Sequence, residues 1–438
     1  MVRPKRFAVL APSTMSESES PSAAATVSPS SFSIRTIICV FTGLASGMPL
    51  YFLIQMVPAW LRESEVSLTN IGLFALIGLP YTWKFVWSPL LDRWSLPLGK
   101  RRGWMLVSQI GLIVGIGTMG SLDPKQQLGT IAVFAVLVAF FSATQDVVID
   151  AFRREILPDA ELGFGNSIHV QAYRISGLVP GALSLYLADH LPWSVVFWIT
   201  ASFMGVGVLL ALFVSEPERP YEPPQGFVKS VIAPFAEYIQ RRGLRSVLPI
   251  LAFMFLYKLG DNMATALSTP FYLDIGFTKT QIALVAKNAA LWPSIVGGLL
   301  GGVVMIRLGI NRSLWVFGVV QVISILGFAV LANSGPVLWL LAVVIGFEYL
   351  GVGLGTAAFT AFIARESSRA FAATQLALFT AFTALPRTFA NATTGFIVDS
   401  VGWTTFFLVC TGLALPGMIL LIWVAPWSEV TATESTAA

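Results

Sequence analysis

Apolar runs long enough to cross a lipid bilayer recur along this chain from residue 34 to residue 425. A hydrocarbon core of ~30 Å is spanned by a helix of about 20 apolar residues. Runs of that kind fall at roughly 34–61, 70–92, 103–121, 127–151, 161–188, 193–215, 246–273, 279–306, 313–333, 336–364, 371–398 and 402–425. A water-soluble fold would have to cover so much apolar material with a polar surface. The composition does not supply one: 11% of the 438 residues are charged, 55% are hydrophobic, and the mean hydropathy is +0.76. Soluble domains carry about 25% charged residues. The sequence therefore predicts an all-α membrane protein of twelve transmembrane helices.

Orientation follows from the placement of Lys and Arg. Arg3, Lys5, Arg6 and Arg35, then Arg93, Lys100, Arg101 and Arg102, fall on one side of the predicted helices. Arg153, Arg154, Arg219, Lys229, Arg241, Arg242, Arg245, Arg307, Arg312, Arg365 and Arg369 join them. The opposite loops hold Arg62, Lys125 and Lys279. The positive-inside rule then places both termini in the cytoplasm, as an even number of spans requires. The net charge of +4 is thereby explained as loop placement, and no nucleic-acid partner is expected.

The longest polar connection, 216–245, divides the chain into bundles at 34–215 and 246–425, with a disordered tail expected at 1–33 and a short tail at 426–438. The two bundles share an internal repeat. Asp189-x3-Trp193-x3-Phe197 returns as Asp399-x3-Trp403-x3-Phe407. Pro58-x-Trp60-Leu61 returns as Pro270-x-Tyr272-Leu273, and Thr69-x-Ile71-x-Leu73-x-Ala75 as Thr280-x-Ile282-x-Leu284-x-Ala286. The offsets, 210, 212 and 211 residues, nearly agree. Two parallel six-helix repeats are the architecture of the major facilitator superfamily, whose halves rock around a midplane site.

Nine ionisable residues lie inside the predicted helices: Lys84, Arg174, Lys258, Lys287 and Arg387, with Asp146, Asp150, Asp261 and Glu348. Each costs about 2.5–3.5 kcal/mol at a helix centre on insertion scales, so they must meet a wet cavity or each other. Ser142, Asp146 and Asp150 share one helix face by their i, i+4, i+8 spacing. Asp146 is deep and reads as a proton-coupling carboxylate, with Glu348 as its competitor; Gln145 lies beside it. Asp150 sits near the surface among Arg153, Arg154 and Glu155, where a structural ion pair accounts for it. Lys258 and Asp261 are i, i+3 neighbours that either neutralise each other or serve substrate and proton. Tyr173 and Arg174 follow His169 on one helix, and His169 reads either as a proton site or as a hydrogen-bonded wall. No nucleophile–His–acid set, metal cluster or cofactor motif is present, and Cys39 and Cys410 both fall in apolar runs. No enzyme is expected. A sensor or scaffold would not need so many charges in its helices.

Several stretches resemble the AmpG-type muropeptide permeases of Gram-negative bacteria. They are Gly43-Leu44-Ala45-Ser46-Gly47-Met48-Pro49-Leu50, Lys84-Phe85-Val86-Trp87-Ser88-Pro89-Leu90-Leu91-Asp92-Arg93 and Arg101-Arg102-Gly103-Trp104. Ser142-Ala143-Thr144-Gln145-Asp146 runs on through Asp150-Ala151-Phe152 to Leu157-Pro158. Tyr257-Lys258-Leu259-Gly260-Asp261, Gly355-Thr356-Ala357-Ala358-Phe359 and Ala373-Thr374-Gln375 follow. The resemblance covers about 36–425. It implies an inner-membrane, proton-driven importer of anhydromuropeptides for cell-wall recycling, acting as a monomer in the lipid bilayer with protons and a small anionic glycopeptide as partners. Some members carry further C-terminal membrane helices, whereas the apolar runs here end near residue 425. Ferric-siderophore permeases share the Lys-Phe-x-Trp and Gln-Asp stretches and give the alternative reading. Asp150-Ala151-Phe152-Arg153 looks more like the muropeptide branch.

For an anionic glycopeptide, the expected substrate-binding residues are Lys84, Gln145, Tyr173, Arg174, Lys258, Asp261, Lys287 and Arg387. Arginine is suited to carboxylate because its fork donates two parallel hydrogen bonds. Lys84, Lys258 and Arg387 are expected to share one central cavity. Asp92, Arg93, Arg101 and Arg102 occupy the position of the superfamily's gating motif, and with Asp150 they are expected to close the cytoplasmic side by charge contacts.

Overall fold

The computed structural model describes residues 34–157, 159–216, 236–367 and 372–427. Helices follow the apolar runs in order: α1 is Ile34–Glu63, α2 Leu68–Trp83 with its continuation Ser88–Arg93, and α3 Lys100–Met119. Then come α4 at Leu128–Ile156, α5 at Asp159–Ser176 continued by Ser184–Ala188, and α6 at Trp193–Phe213. The second half begins with α7 at Leu244–Asp274. Lys279–Ser334 holds α8 and α9, Leu338–Glu366 is α10, and Ala372–Val424 holds α11 and α12.

Lys279–Ser334 runs for 56 residues, which as one straight helix would reach about 84 Å. It does not: Gly309 at φ 73° and ψ 168° turns the chain back on itself, and Gly402 at φ 76° and ψ 168° does the same between α11 and α12. That backbone region is nearly closed to other residues. Among the described residues the chain thus makes twelve membrane helices in two halves, α1–α6 and α7–α12.

Several helices depart from α geometry where they will line the site. A π-helical turn interrupts α1 at Phe52–Met56, α5 at Val179–Leu183 and α8 at Ile282–Ala286. Phe74–Gly78 in α2 is a 3-10 helix, with Pro80 just beyond it and Pro89 in the continuation. In α7 the regular helix stops at Leu256 and restarts at Leu259. Irregular backbone is tolerated at membrane depth where protein or a wet cavity satisfies the freed groups.

Small residues set the closest helix contacts. A side chain at Gly43 or Gly47 of α1 would collide with the carbonyls of His169 or Tyr173 on α5. The seam between halves is formed by α2 against α11 and by α5 against α8. Within the segment expected as a linker, 236–242 is helical and packs on the second half. There Tyr238 is buried and donates to Glu366 Oε2 at 3.1 Å, and Arg242 pairs with Glu366 at 2.8 Å. Burial and the adjacent Glu366 push the Tyr238 phenol above its ordinary range. Of the expected tails, 1–33 lies outside the described residues, as does all of 426–438 after Trp427, and so does 217–235.

Candidate functional site

Between the halves lies a cavity of about 600 Å³, lined from α1, α2, α5, α7, α8, α10 and α11. Arg174, Lys258, Asp261, Lys287 and Arg387 all line it. The π turns deliver Leu53, Ile54 and Gln55 from α1 and place Ala286 and Lys287 at its wall. Tyr51, Tyr81, Tyr272 and Tyr349 add aromatic surface with a polar tip. The wall is therefore mixed, with cations in excess of carboxylates.

The cations differ in how they are held. Lys258 Nζ pairs with Asp261 Oδ2 at 2.8 Å, joining the two residues across the irregular stretch of α7. Lys287 is buried and donates to Thr269 Oγ1 at 2.9 Å, with no carboxylate beside it. Arg174 on α5 and Arg387 on α11 come from opposite halves, and both charges act on the Tyr51 hydroxyl. Among the described residues no carboxylate pairs with either guanidinium. The Tyr51 ring lies 5.7 Å from that of Tyr173.

Lys84 is not among the lining residues. Its ammonium stands 3.9 Å from Asp146 Oδ2, and the Ser46 hydroxyl donates to Asp146 Oδ1. Asp146 is largely buried, and its charge acts on Tyr81, which lines the cavity, and on Tyr173, which is not among the lining residues. Gln145 does not face the cavity either. Its Nε2 donates to the Ala45 carbonyl at 3.0 Å, and its Oε1 accepts from Gln109 Nε2 at 2.7 Å. One residue along a helix is a turn of about 100°, which points Gln145 at α1 and α3 instead of along the Asp146 face. His169 is buried with Nδ1 3.1 Å from Thr42 Oγ1, a helix-packing contact.

Glu348 on α10 is fully buried behind the cavity. No donor stands in hydrogen-bonding geometry with either carboxylate oxygen. Its polar neighbours are Ser324 and Asp261, and the Lys258 charge reaches it through Asp261. The cysteines Cys39 and Cys410 are buried and are not joined in a disulfide.

The residues expected to gate the α2–α3 end make contacts inside the first half. Arg101, buried, forks onto Glu155 with Nη2 at 2.6 Å, and its backbone N–H donates to Glu216 Oε1 at 2.7 Å. Arg102 donates to the carbonyls of Ala211 and Leu212. Asp150 pairs with Arg153 at 2.9 Å, as a structural ion pair would. The side chains of Asp92 and Arg93 lie outside the described residues.

A model of the Major Facilitator Superfamily matches residues 39–390. The chain is 38% identical over 391 residues to the anhydromuropeptide permease of Escherichia coli K12, covering 89% of this chain and 79% of that one. This chain belongs to the major facilitator superfamily, in the family of that permease. The transporter is also 50% identical to an uncharacterised protein of Haemophilus influenzae, over 91% of this chain and 96% of the other. Its fold matches the crystal structure of the nucleoside transporter NupG with a TM-score of 0.71 at 12% identity, covering 90% of this chain and 99% of that one. The transporter is a multi-pass membrane protein and not an enzyme.

Sequence reasoning found the misplaced charges but missed their companions. Ser46, Tyr51, Tyr81 and Tyr349 sit in apolar runs where a hydroxyl carries no distinguishing spacing. The pairing of Lys84 with Asp146 joins α2's extension to α4, and no local pattern announces it.

Proposed function

We propose that this transporter imports anhydromuropeptides, N-acetylglucosaminyl-anhydromuramyl sugars with or without a short peptide, from periplasm to cytoplasm. The proton gradient drives import, and the product feeds cell-wall recycling. The transporter sits in the bacterial inner membrane with both ends cytoplasmic, which places the α1–α2 end of the bundle at the periplasm. The observation that carries the substrate reading is the pair Arg174 and Arg387. Two guanidiniums from opposite halves face one cavity without a carboxylate of their own. An anionic glycopeptide supplies that carboxylate, and a charge-assisted bidentate pair of this kind is stronger than a neutral one. Lys287 offers a third cation, while Tyr51 and Tyr349 offer faces for sugar rings. An anion bridging Arg174 and Arg387 would also draw the two halves together, which couples binding to the rocking motion.

Proton coupling we assign to Asp146, with Lys84 as its counter-ion instead of a substrate ligand. A proton placed on Asp146 cancels the attraction that holds Lys84 at 3.9 Å and frees the α2 extension to move. Glu348 has no cation of its own beside it, its neighbours being Ser324 and the Asp261 that already holds Lys258. The likeness to the E. coli permease supports the choice of cargo. Uptake of labelled anhydromuropeptide by proteoliposomes tests the reading. Saturable, pH-driven uptake is expected, and a transporter that ignores muropeptide while carrying a ferric siderophore would overturn it.

A further inference from the structure

The repeat seen in the sequence comes back in three dimensions as a set of contacts between the halves, all at the α1–α2 end. Asp189, at the end of α5, accepts from the Thr280 backbone N–H at 2.7 Å and from Thr280 Oγ1 at 2.5 Å. Asp399, at the corresponding place in α11, accepts from the Thr69 N–H at 2.9 Å and from Thr69 Oγ1 at 2.6 Å. Each threonine is the second residue of its helix, α8 or α2, where the N–H has no partner within the helix. Each aspartate therefore caps a helix of the opposite half, and the two caps are related by the same offset as the repeat, 210 and 211 residues.

A second pair of acids supports them. Glu63 accepts from Trp193 Nε1 at 2.8 Å and from Lys279 Nζ of the other half at 2.6 Å. Asp274 accepts from Trp403 Nε1 at 3.0 Å and from Arg62 Nε of the other half at 2.5 Å. The backbones also close on one another here, since a side chain at Gly395 of α11 would collide with the Leu68 carbonyl at the start of α2. A purely apolar seam would resist opening. Exposed polar caps resist it by a smaller, reversible amount, because water replaces each hydrogen bond as the halves part.

We infer that Asp189 and Asp399 are paired latches that hold the periplasmic mouth of the cavity shut and set the balance between outward-open and inward-open states. The inference rests on the transport reading for its meaning, but its test reads access to the cavity and not cargo. Cys39 and Cys410 are replaced by Ala, and the cavity-lining Ala266 by Cys, as a reporter for membrane-impermeant maleimide applied from the periplasmic side. If each cap is worth what helix caps usually are, Asp189→Ala and Asp399→Ala each raise the labelling rate about fivefold, and together about 25-fold. Asp189→Asn and Asp399→Asn keep an acceptor oxygen and give smaller rises. A Thr69→Cys/Asp399→Cys chain on the same reporter background, read by peptide mapping at position 266 alone because the two added thiols also take up maleimide once reduced, should label there at background when oxidised and rapidly when reduced. It also decides the matter should the alanine variants fail to reach the membrane. Labelling of the double alanine variant at the parental rate, or undiminished labelling of the oxidised cysteine pair, would overturn the inference. A cargo other than muropeptide would leave these rates unchanged.

Discussion

The acids of the two halves answer the cost of a buried carboxylate in opposite ways. In the first half, Asp146 has a lysine at 3.9 Å and a serine hydroxyl on its other oxygen. In the second, Glu348 is sealed from solvent with no donor on either oxygen. Proton coupling needs a group that is stable in two charge states, and a partner that can be dropped provides the second state. Asp146 has such a partner in Lys84; in the second half the lysine, Lys258, is held instead by Asp261 at 2.8 Å. The halves preserve their twofold relation at the latch and have lost it at the acids. The repeat thus keeps the outer contacts between the halves, while the carboxylate to which we assign proton coupling has no twofold counterpart at Glu348.

The largest expected effect breaks this comparison directly. Asp146→Asn should lower proton-driven uptake about 100-fold, whereas Glu348→Gln, a neutral isostere beside Asp261 with no cation of its own, should stay within about twofold, as expected when only one removes an interaction that changes during the cycle. Initial uptake rates at equal protein level in the membrane check both. Equal losses would return the coupling role to the pair.

Next in size are the guanidiniums. Arg174→Gln and Arg387→Gln should each raise KM for muropeptide about tenfold or more, the loss of one charge-assisted hydrogen-bonded pair. Lys substituted at either position should recover only part of it, because an ammonium lacks the planar fork. A KM left unchanged by both substitutions would move the substrate site elsewhere.

Lys258→Gln alone should reduce the amount of folded transporter, because it strands the Asp261 carboxylate; removing one partner of a buried pair costs about 3–5 kcal/mol. The double change Lys258→Gln/Asp261→Asn should restore much of that loss. Thermal unfolding in detergent reads the difference. The smallest effect is expected at the α2–α3 end, where Asp150→Asn removes an ion pair with one partner more than half exposed. Such pairs contribute about 0–1 kcal/mol, so stability and uptake should barely move.

Much of this architecture was legible in the amino-acid order. The apolar runs placed the helices to within a few residues, because membrane depth fixes their length. The turn between α8 and α9 is sharper than the 306–313 gap suggested, since one glycine, Gly309, suffices to make it. Charges inside apolar runs announced the cavity, and Arg174, Lys258, Asp261, Lys287 and Arg387 are there together. The π and 3-10 turns were not legible, since they depend on how neighbouring helices pack. Gln145 was drawn in by its neighbour Asp146, although adjacent helical residues point to different faces. The repeat flagged Asp189, Asp399, Thr69 and Thr280 by spacing, but only coordinates pair each aspartate with the threonine of the other half.

Asp146 is proposed to couple a proton to movement, and purified transporter in proteoliposomes tests that most directly. An inward pH gradient is imposed and accumulation of labelled anhydromuropeptide is followed beside gradient-free exchange across the same membranes. The account predicts that wild type accumulates substrate above equilibrium, while Asp146→Asn exchanges it without accumulation. An Asp146→Asn transporter that still concentrates substrate in proportion to the pH gradient would contradict it.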